Sequence, residues 1–255
     1  MGQGSFETTI DLPSKGLLPG SREKLQLKSM TVREEKILFG KAGEGGEKLL
    51  QIIADCSDAD EGAVRDFPFS DAIYAFVRLR NISVGDSQYA FRAACHVCQT
   101  SFEIRVDLEK QEVAFLDPKN ASEPFEISLP RSKAKLLMRF KRLRDQIELD
   151  RMVKFRKQKG FRVDRGFISE GFANITDAIG DSKGKDCDFA TKIKFFDSLA
   201  LQDLNYLNEE LDGRDFGISM RALGDCPECG NQDDFVIRLD ASFFRSVRGA
   251  GTGAP

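Results

Sequence analysis

Two Cys-x-x-Cys pairs, Cys95-His96-Val97-Cys98 and Cys226-Pro227-Glu228-Cys229, constrain this chain more than any other feature of it. Two residues between cysteines permit a tight turn that aims both thiolates at one ion, and the turn's amides can point at the sulfurs. One pair is half of a tetrahedral site, and structural zinc takes four ligands. Cys95, Cys98, Cys226 and Cys229 together complete a four-thiolate set. The two knuckles stand much farther apart than the roughly 15 to 20 residues usual between such pairs. The expected centre is therefore discontinuous and zinc-ribbon-like, tying two distant hairpins together. Soft thiolates favour zinc, and an iron–sulfur cluster is the second choice for the same set. Reduced thiols or chance disulfides are the plainer alternative. Gly230 follows the second pair and supplies the positive φ that a knuckle commonly needs there, whereas Gln99 holds that position after the first pair and fits it less well.

The remaining chemistry is sparse. Of six cysteines, Cys56 ends an apolar run and reads as a core residue, and Cys187 lies in an acidic stretch and reads as incidental. His96 is the single histidine. It reads as a solvated turn residue rather than a ligand, and its isolation makes any serine–histidine–acid chemistry depend on one side chain. A thioredoxin-like use of either pair is disfavoured, because neither follows a strand and opens a helix. No carboxylate pair is placed for acid–base work, and no glycine loop cradles a phosphate. The expectation is a protein that is not an enzyme, with no catalytic residues.

Charge and hydropathy narrow the class. The net charge is −3 although 31% of residues are charged, so no global field draws the chain to nucleic acid. No run of about 18 apolar residues is present, which excludes a membrane-spanning helix. The opening Met-Gly-Gln-Gly-Ser-Phe-Glu reads as neither an export signal nor a myristoylation site, since Phe6 stands where the latter wants Ser or Thr.

Periodicity predicts an α+β fold: helices packed beside small antiparallel hairpins and closed by the metal site, as a single domain over residues 1–255. Leu25 and Leu27 alternate as in a short strand. Thr31 and Glu34 make a capping box for a helix that the glycines around Gly43 interrupt. Leu49, Leu50, Ile52 and Ile53 resume a helix ending near Cys56. Ile73, Phe76, Val77 and Arg80 mark another, broken from Asn81 onward. Tyr89, Phe91 and Ala93 alternate before the first knuckle, and Phe102, Ile104, Val106 and Leu108 after it. Residues 131–159 are basic and predict one long helix with Leu136, Phe140, Leu143 and Ile147 on a face. Residues 160–185 read as a glycine-rich acidic loop, so 113–185 is treated as a divergent region inserted between the knuckles. Ser198 is expected to cap a helix carrying Leu201, Leu204, Leu207 and Leu211. After the second knuckle Phe235 to Leu239 reads as strand-like, and the glycine-rich end after Arg248 as a frayed tail. No internal repeat is evident.

The order of these pieces resembles the T4-type baseplate hub and hub-assembly family of tailed phages. The resemblance rests first on Leu12-Pro13-Ser14-Lys15-Gly16 and on Met30-Thr31-Val32-Arg33-Glu34-Glu35-Lys36-Ile37-Leu38. Centrally it rests on the helix to Arg80, Gly85-Asp86, the Cys95 and Cys98 knuckle and the alternating strand from Phe102. At the end it rests on the helix carrying Leu199 to Leu211, Cys226-Pro227-x-Cys229-Gly230 and Phe243-Phe244. The glycines 43–46 and residues 113–185 depart from the pattern. The resemblance implies a non-enzymatic structural or assembly protein of a contractile tail. It would act on the central hub together with hub, tail lysozyme and tape-measure proteins, in the host cytoplasm and then in the virion baseplate. It also implies that a metal, if held, is structural. A homo-oligomer is compatible with this reading, and no membrane contact is expected. The alternative is a zinc-ribbon adaptor that touches nucleic acid through the basic 131–159 stretch, and the third reading is a redox enzyme using a cysteine pair.

Overall fold

The computed structural model describes residues 5–40, 43–160, 167–239 and 241–244. The chain opens with a hairpin of β1 (Thr8–Asp11) and β2 (Lys24–Leu27), with Ile10 opposite Leu25. Leu25 and Leu27 are buried and their neighbours exposed, as a period of two requires. Helix α1 (Val32–Phe39) starts on the expected capping box: Glu34 accepts from the Thr31 amide at 2.7 Å and Thr31 Oγ1 from the Arg33 amide at 3.2 Å. The glycine cluster then proves to be the entrance of α2 (Gly45–Cys56), whose Leu49, Leu50, Ile52 and Ile53 are buried. A Cβ at Gly46 would meet Ile147 Cγ1 at 3.0 Å, so glycine lets this helix start lie against a later one.

Helix α3 (Glu61–Asp66), capped by Asp60, leads into α4 (Phe69–Val84), the central helix of the larger core. It runs past Asn81, where a break is expected, and stops at Gly85, which takes φ 69°. A left-handed glycine ends a helix without the Cβ clash another residue would meet. The hairpin of β3 (Gln88–Ala94) and β4 (Ser101–Asp107) follows as expected, Tyr89 opposite Val106 and Phe91 opposite Ile104.

Between the knuckles the structure departs from expectation. After β5 (Val113–Ala114), an antiparallel sheet is built from β6 (Phe125–Ser128), β7 (Lys135–Met138), β8 (Thr176–Ile179) and β9 (Ser182–Lys183) in that spatial order. The long helix expected over 131–159 is thus a strand followed by α5 (Leu143–Gln158). Leu136 and Met138 are both buried in the sheet core, a period of two that the apolar spacing disguised as helical. The helix starts only where Asp145 accepts from the Arg142 amide at 2.7 Å. The loop expected over 160–185 contains α6 (Ile168–Ile175) as well as β8 and β9, while 161–166 lie outside the described residues. Helix α7 (Phe189–Asp197) ends at Ser198, whose amide donates back to Lys194 and Phe195. Ser198 therefore closes α7 and does not cap α8 (Leu201–Asp212). On α8, Leu207 is fully buried and Leu201 is 74% exposed. This sheet and α6 to α8 share a second core around Phe125, Ile127, Leu136, Met138, Phe196 and Leu207.

The chain then returns to the first core. Strand β10 (Gly217–Ile218) pairs with β5, and a last hairpin joins β11 (Arg221–Asp225) to β12 (Gln232–Val236). Phe243 closes the first core, fully buried between Phe76 and Tyr89 at ring distances of 6.0 and 5.0 Å. The fold is α+β with small antiparallel sheets, as expected. The tail expected after Arg248 lies outside the described residues.

Candidate metal centre

Each Cys-x-x-Cys sits at the turn of its own hairpin, and the two turns are built alike. In the first, the Cys95 amide donates to the Thr100 carbonyl at 3.0 Å and the Gln99 amide to the Cys95 carbonyl at 3.0 Å. In the second, the Cys226 amide donates to Asn231 at 2.9 Å and the Gly230 amide to Cys226 at 2.9 Å. The residue after each second cysteine is left-handed: Gly230 has φ 69° and Gln99 has φ 61°. Gln99 therefore does the glycine's geometric work despite its Cβ. The matching turns are a repeat of geometry that the two sequences, Cys-His-Val-Cys-Gln and Cys-Pro-Glu-Cys-Gly, do not display.

The hairpins face each other in a crossed arrangement. Cys95 Sγ lies 3.6 Å from Cys229 Sγ, and Cys98 Sγ lies 3.5 Å from Cys226 Sγ. All four sulfurs fall within 4.8 Å of one another, a group that could hold a metal ion. The first cysteine of each pair is buried and the second exposed. Close approach of the hairpins depends on Gly224 of β11, where a Cβ would stand 2.8 Å from Ile104 Cδ1. Phe235 then meets Phe102 edge-on at 5.6 Å.

The thiols respond to this crowding in opposite ways. The Thr100 hydroxyl and amide draw Cys98 down to about 6. At Cys229 the Asn231 amide also pulls downward, yet desolvation and the three neighbouring sulfurs outweigh it and push the thiol up to about 12. Four sulfurs this close resist losing all their protons unless a cation shares the charge.

A family model described as T4 bacteriophage base plate protein matches residues 6–245. The chain belongs to that family. No curated protein and no solved structure matches it.

The other expected residues of this baseplate protein fall as follows. His96 stays off the sulfur cluster: Nδ1 pairs with Asp233 of β12, so an exposed imidazole bridges the two hairpins. Cys56 is a core thiol, as expected, and burial pushes it up to about 12. Cys187 is also buried, so it belongs to the packed structure and not to a solvated loop. Much of the basic stretch is engaged within the fold, while Arg131, Lys133, Lys157 and Lys159 are exposed. Arg139 forks onto Asp145 at 2.7 and 2.8 Å, and Arg142 pairs with Glu123 with both side chains buried. Along α5, Arg144, Arg151, Lys154 and Arg156 pair with Asp66, Glu47, Glu44 and Glu170.

Three anchors of the baseplate protein escaped the sequence reading. Ser14 is fully buried, its amide donating to Asp71 Oδ1 at 2.9 Å and its hydroxyl to Oδ2. Asp203 of α8 accepts from the Arg131 and Ser132 amides at 2.7 and 2.9 Å and holds the β6–β7 turn. Arg80 is fully buried and, among the described residues, donates to the carbonyls of Asp86, Gln88 and Phe243 and to Asn81 Oδ1. A charged residue at an apolar helix position was the available signal for Arg80, and a glycine within an alternating strand was the signal for Gly224.

Proposed function

We propose that this chain is a non-enzymatic structural or assembly protein of the baseplate's central hub, working with hub, tail lysozyme and tape-measure proteins. The observation that carries the reading is the match to the baseplate family along nearly the whole chain, residues 6–245. The buried charges add support, because they are spent on architecture: Asp71 holds Ser14, Arg80 holds the last described turn, and Arg142 holds Glu123. In this reading residues 1–255 form one domain, with 113–185 the inserted region in which partners specific to this phage tail would be met. The nucleic-acid reading is the weaker one, since four cations along α5 already have carboxylate partners and contribute little to phosphate neutralisation.

The test follows the protein through sedimentation of an infected-cell lysate and into purified virions. Co-migration with baseplate intermediates and capture of a hub or tape-measure protein support the proposal. Persistence in virions makes the chain a hub subunit, and loss before completion makes it an assembly factor. Migration apart from every tail protein would sink both.

A further inference from the structure

The four sulfurs occupy a place where a bound ion would do more than stabilise a turn. A zinc ion at about 2.3 Å from each thiolate sets neighbouring sulfurs about 3.8 Å apart. The crossed pairs at 3.6 and 3.5 Å match that spacing. Disulfide sulfurs would approach to about 2 Å. An iron–sulfur cluster puts several iron and sulfide atoms between its thiolates and spreads them wider than one ion's radius does. The set is thus sized for a single ion, and the paired knuckles hold it from two sides with both left-handed turns already in place.

What the ion would join is the end of the chain to its middle. The hairpin β11–β12 is separated from β3–β4 by the entire second core, so bringing them together carries the loop-closure cost of a long intervening segment. Apart from the sulfurs, the described contacts that seat the last segment on the first core are mostly apolar packing and single polar bonds. They include Gly224 against Ile104, Phe235 against Phe102 and His96, the His96–Asp233 pair, the Tyr89 hydroxyl on the Arg238 carbonyl, and Phe243 with Arg80, Phe76 and Tyr89. The second core, around Leu136, Met138 and Leu207, is a separate cluster that shares none of these residues.

We propose that Cys95, Cys98, Cys226 and Cys229 hold one structural zinc ion that clasps the C-terminal hairpin and the Phe243 segment onto α4 and β3–β4. Loss of the ion releases that segment and uncovers the aromatic bed of Phe76, Tyr89 and Phe102, while the second core stays folded. The clasp is independent of the hub reading, since it rests on the chain's own contacts.

The experiment uses the purified full-length protein. Elemental analysis gives one zinc per chain, without sulfide. Chelation then raises amide exchange in 88–107 and 221–239 and leaves 125–138 and 168–179 protected. Cys229→Ser removes an exposed ligand without hollowing the core, and it loses the zinc and reproduces the chelated exchange pattern. Absence of metal, iron with acid-labile sulfide, or retention of zinc by Cys229→Ser would each overturn the proposal. So would exchange that is unchanged by chelation, or that rises equally in both cores.

Discussion

Arg80 Nε donates to the carbonyl of Phe243 at 3.0 Å, across 163 positions of chain, from a guanidinium with no exposed surface. The other two nitrogens of the same fork take the carbonyls of Asp86 and Gln88. One planar side chain therefore fastens the end of α4, the start of β3 and the last described turn. Among the described residues no carboxylate hydrogen-bonds to it; carbonyl dipoles take the place of a counter-charge. Burial lowers its pKa from the ordinary arginine value, and the Asp86 charge opposes this.

Arg80→Lys is accordingly not conservative. An ammonium is a point donor and cannot reproduce a planar fork aimed at three carbonyls. We expect it to cost about 3 kcal/mol or more, because carbonyls are left buried and unpaired. Urea denaturation checks this, and a midpoint unchanged from the parent would show that the fork is dispensable.

The two knuckles predict opposite effects for reciprocal exchanges. Gln99→Gly should stabilise by about 0.5 to 1 kcal/mol, since a left-handed turn costs a residue with a Cβ about 1 kcal/mol or more and only a weak bond to the His96 carbonyl is lost. Gly230→Gln should destabilise by a similar amount. It meets no neighbour within 4 Å, so its cost is conformational and not steric. Melting temperatures of the two purified variants against the parent measure both.

Asp71 gives the stability a pH dependence with a defined sign. Burial raises its pKa to about 6, with the Ser14 hydroxyl and amide and the Arg142 charge pulling the other way. The folded protein thus holds this proton more tightly than the unfolded chain, whose aspartates titrate near 4. Its contribution is complete below about pH 4 and is lost as pH rises to about 6, a fall of about 3 kcal/mol. Asp71→Asn keeps an acceptor for the Ser14 amide and should flatten that part of the stability profile. An equally steep fall in the variant would assign the effect elsewhere.

Gly224→Ala should cost about 1 to 3 kcal/mol by overpacking, since the new methyl meets Ile104 Cδ1 at 2.8 Å and Phe235 Cε2 at 3.2 Å. In an Ile104→Ala background the Ile104 clash is gone and only the Phe235 contact remains, so the same substitution should cost clearly less. Additive costs in the double-mutant cycle would mean that the hairpins do not approach here.

Local elements were legible where a short-range pattern had one physical meaning. The capping box at Thr31 and Glu34, the alternation on β3 and β4 and the apolar run of α2 all required only neighbours in sequence. The failures share a cause. Leu136 and Leu143 are seven apart, a spacing that suits a helix, yet Leu136 lies in a strand and Leu143 in the following helix. The choice between the two was made by strand partners, Ile127 opposite Leu136 on one side and Ile179 on the other, which periodicity cannot show. Ser198 misled similarly, because a serine suits a helix start and here it closes the preceding helix.

By itself the sequence supplied four cysteines in two tight turns, a glycine after one of them, and a nearly balanced net charge. It also carried the ordered motifs of the baseplate family. Only the tertiary structure decided that those turns meet, which first cysteine faces which second one, and that Ser14, Arg80 and Phe243 are anchors. The reason is physical. Ligand type and turn geometry are local properties of a few residues, whereas the meeting of Cys95 with Cys229 depends on everything folded between them.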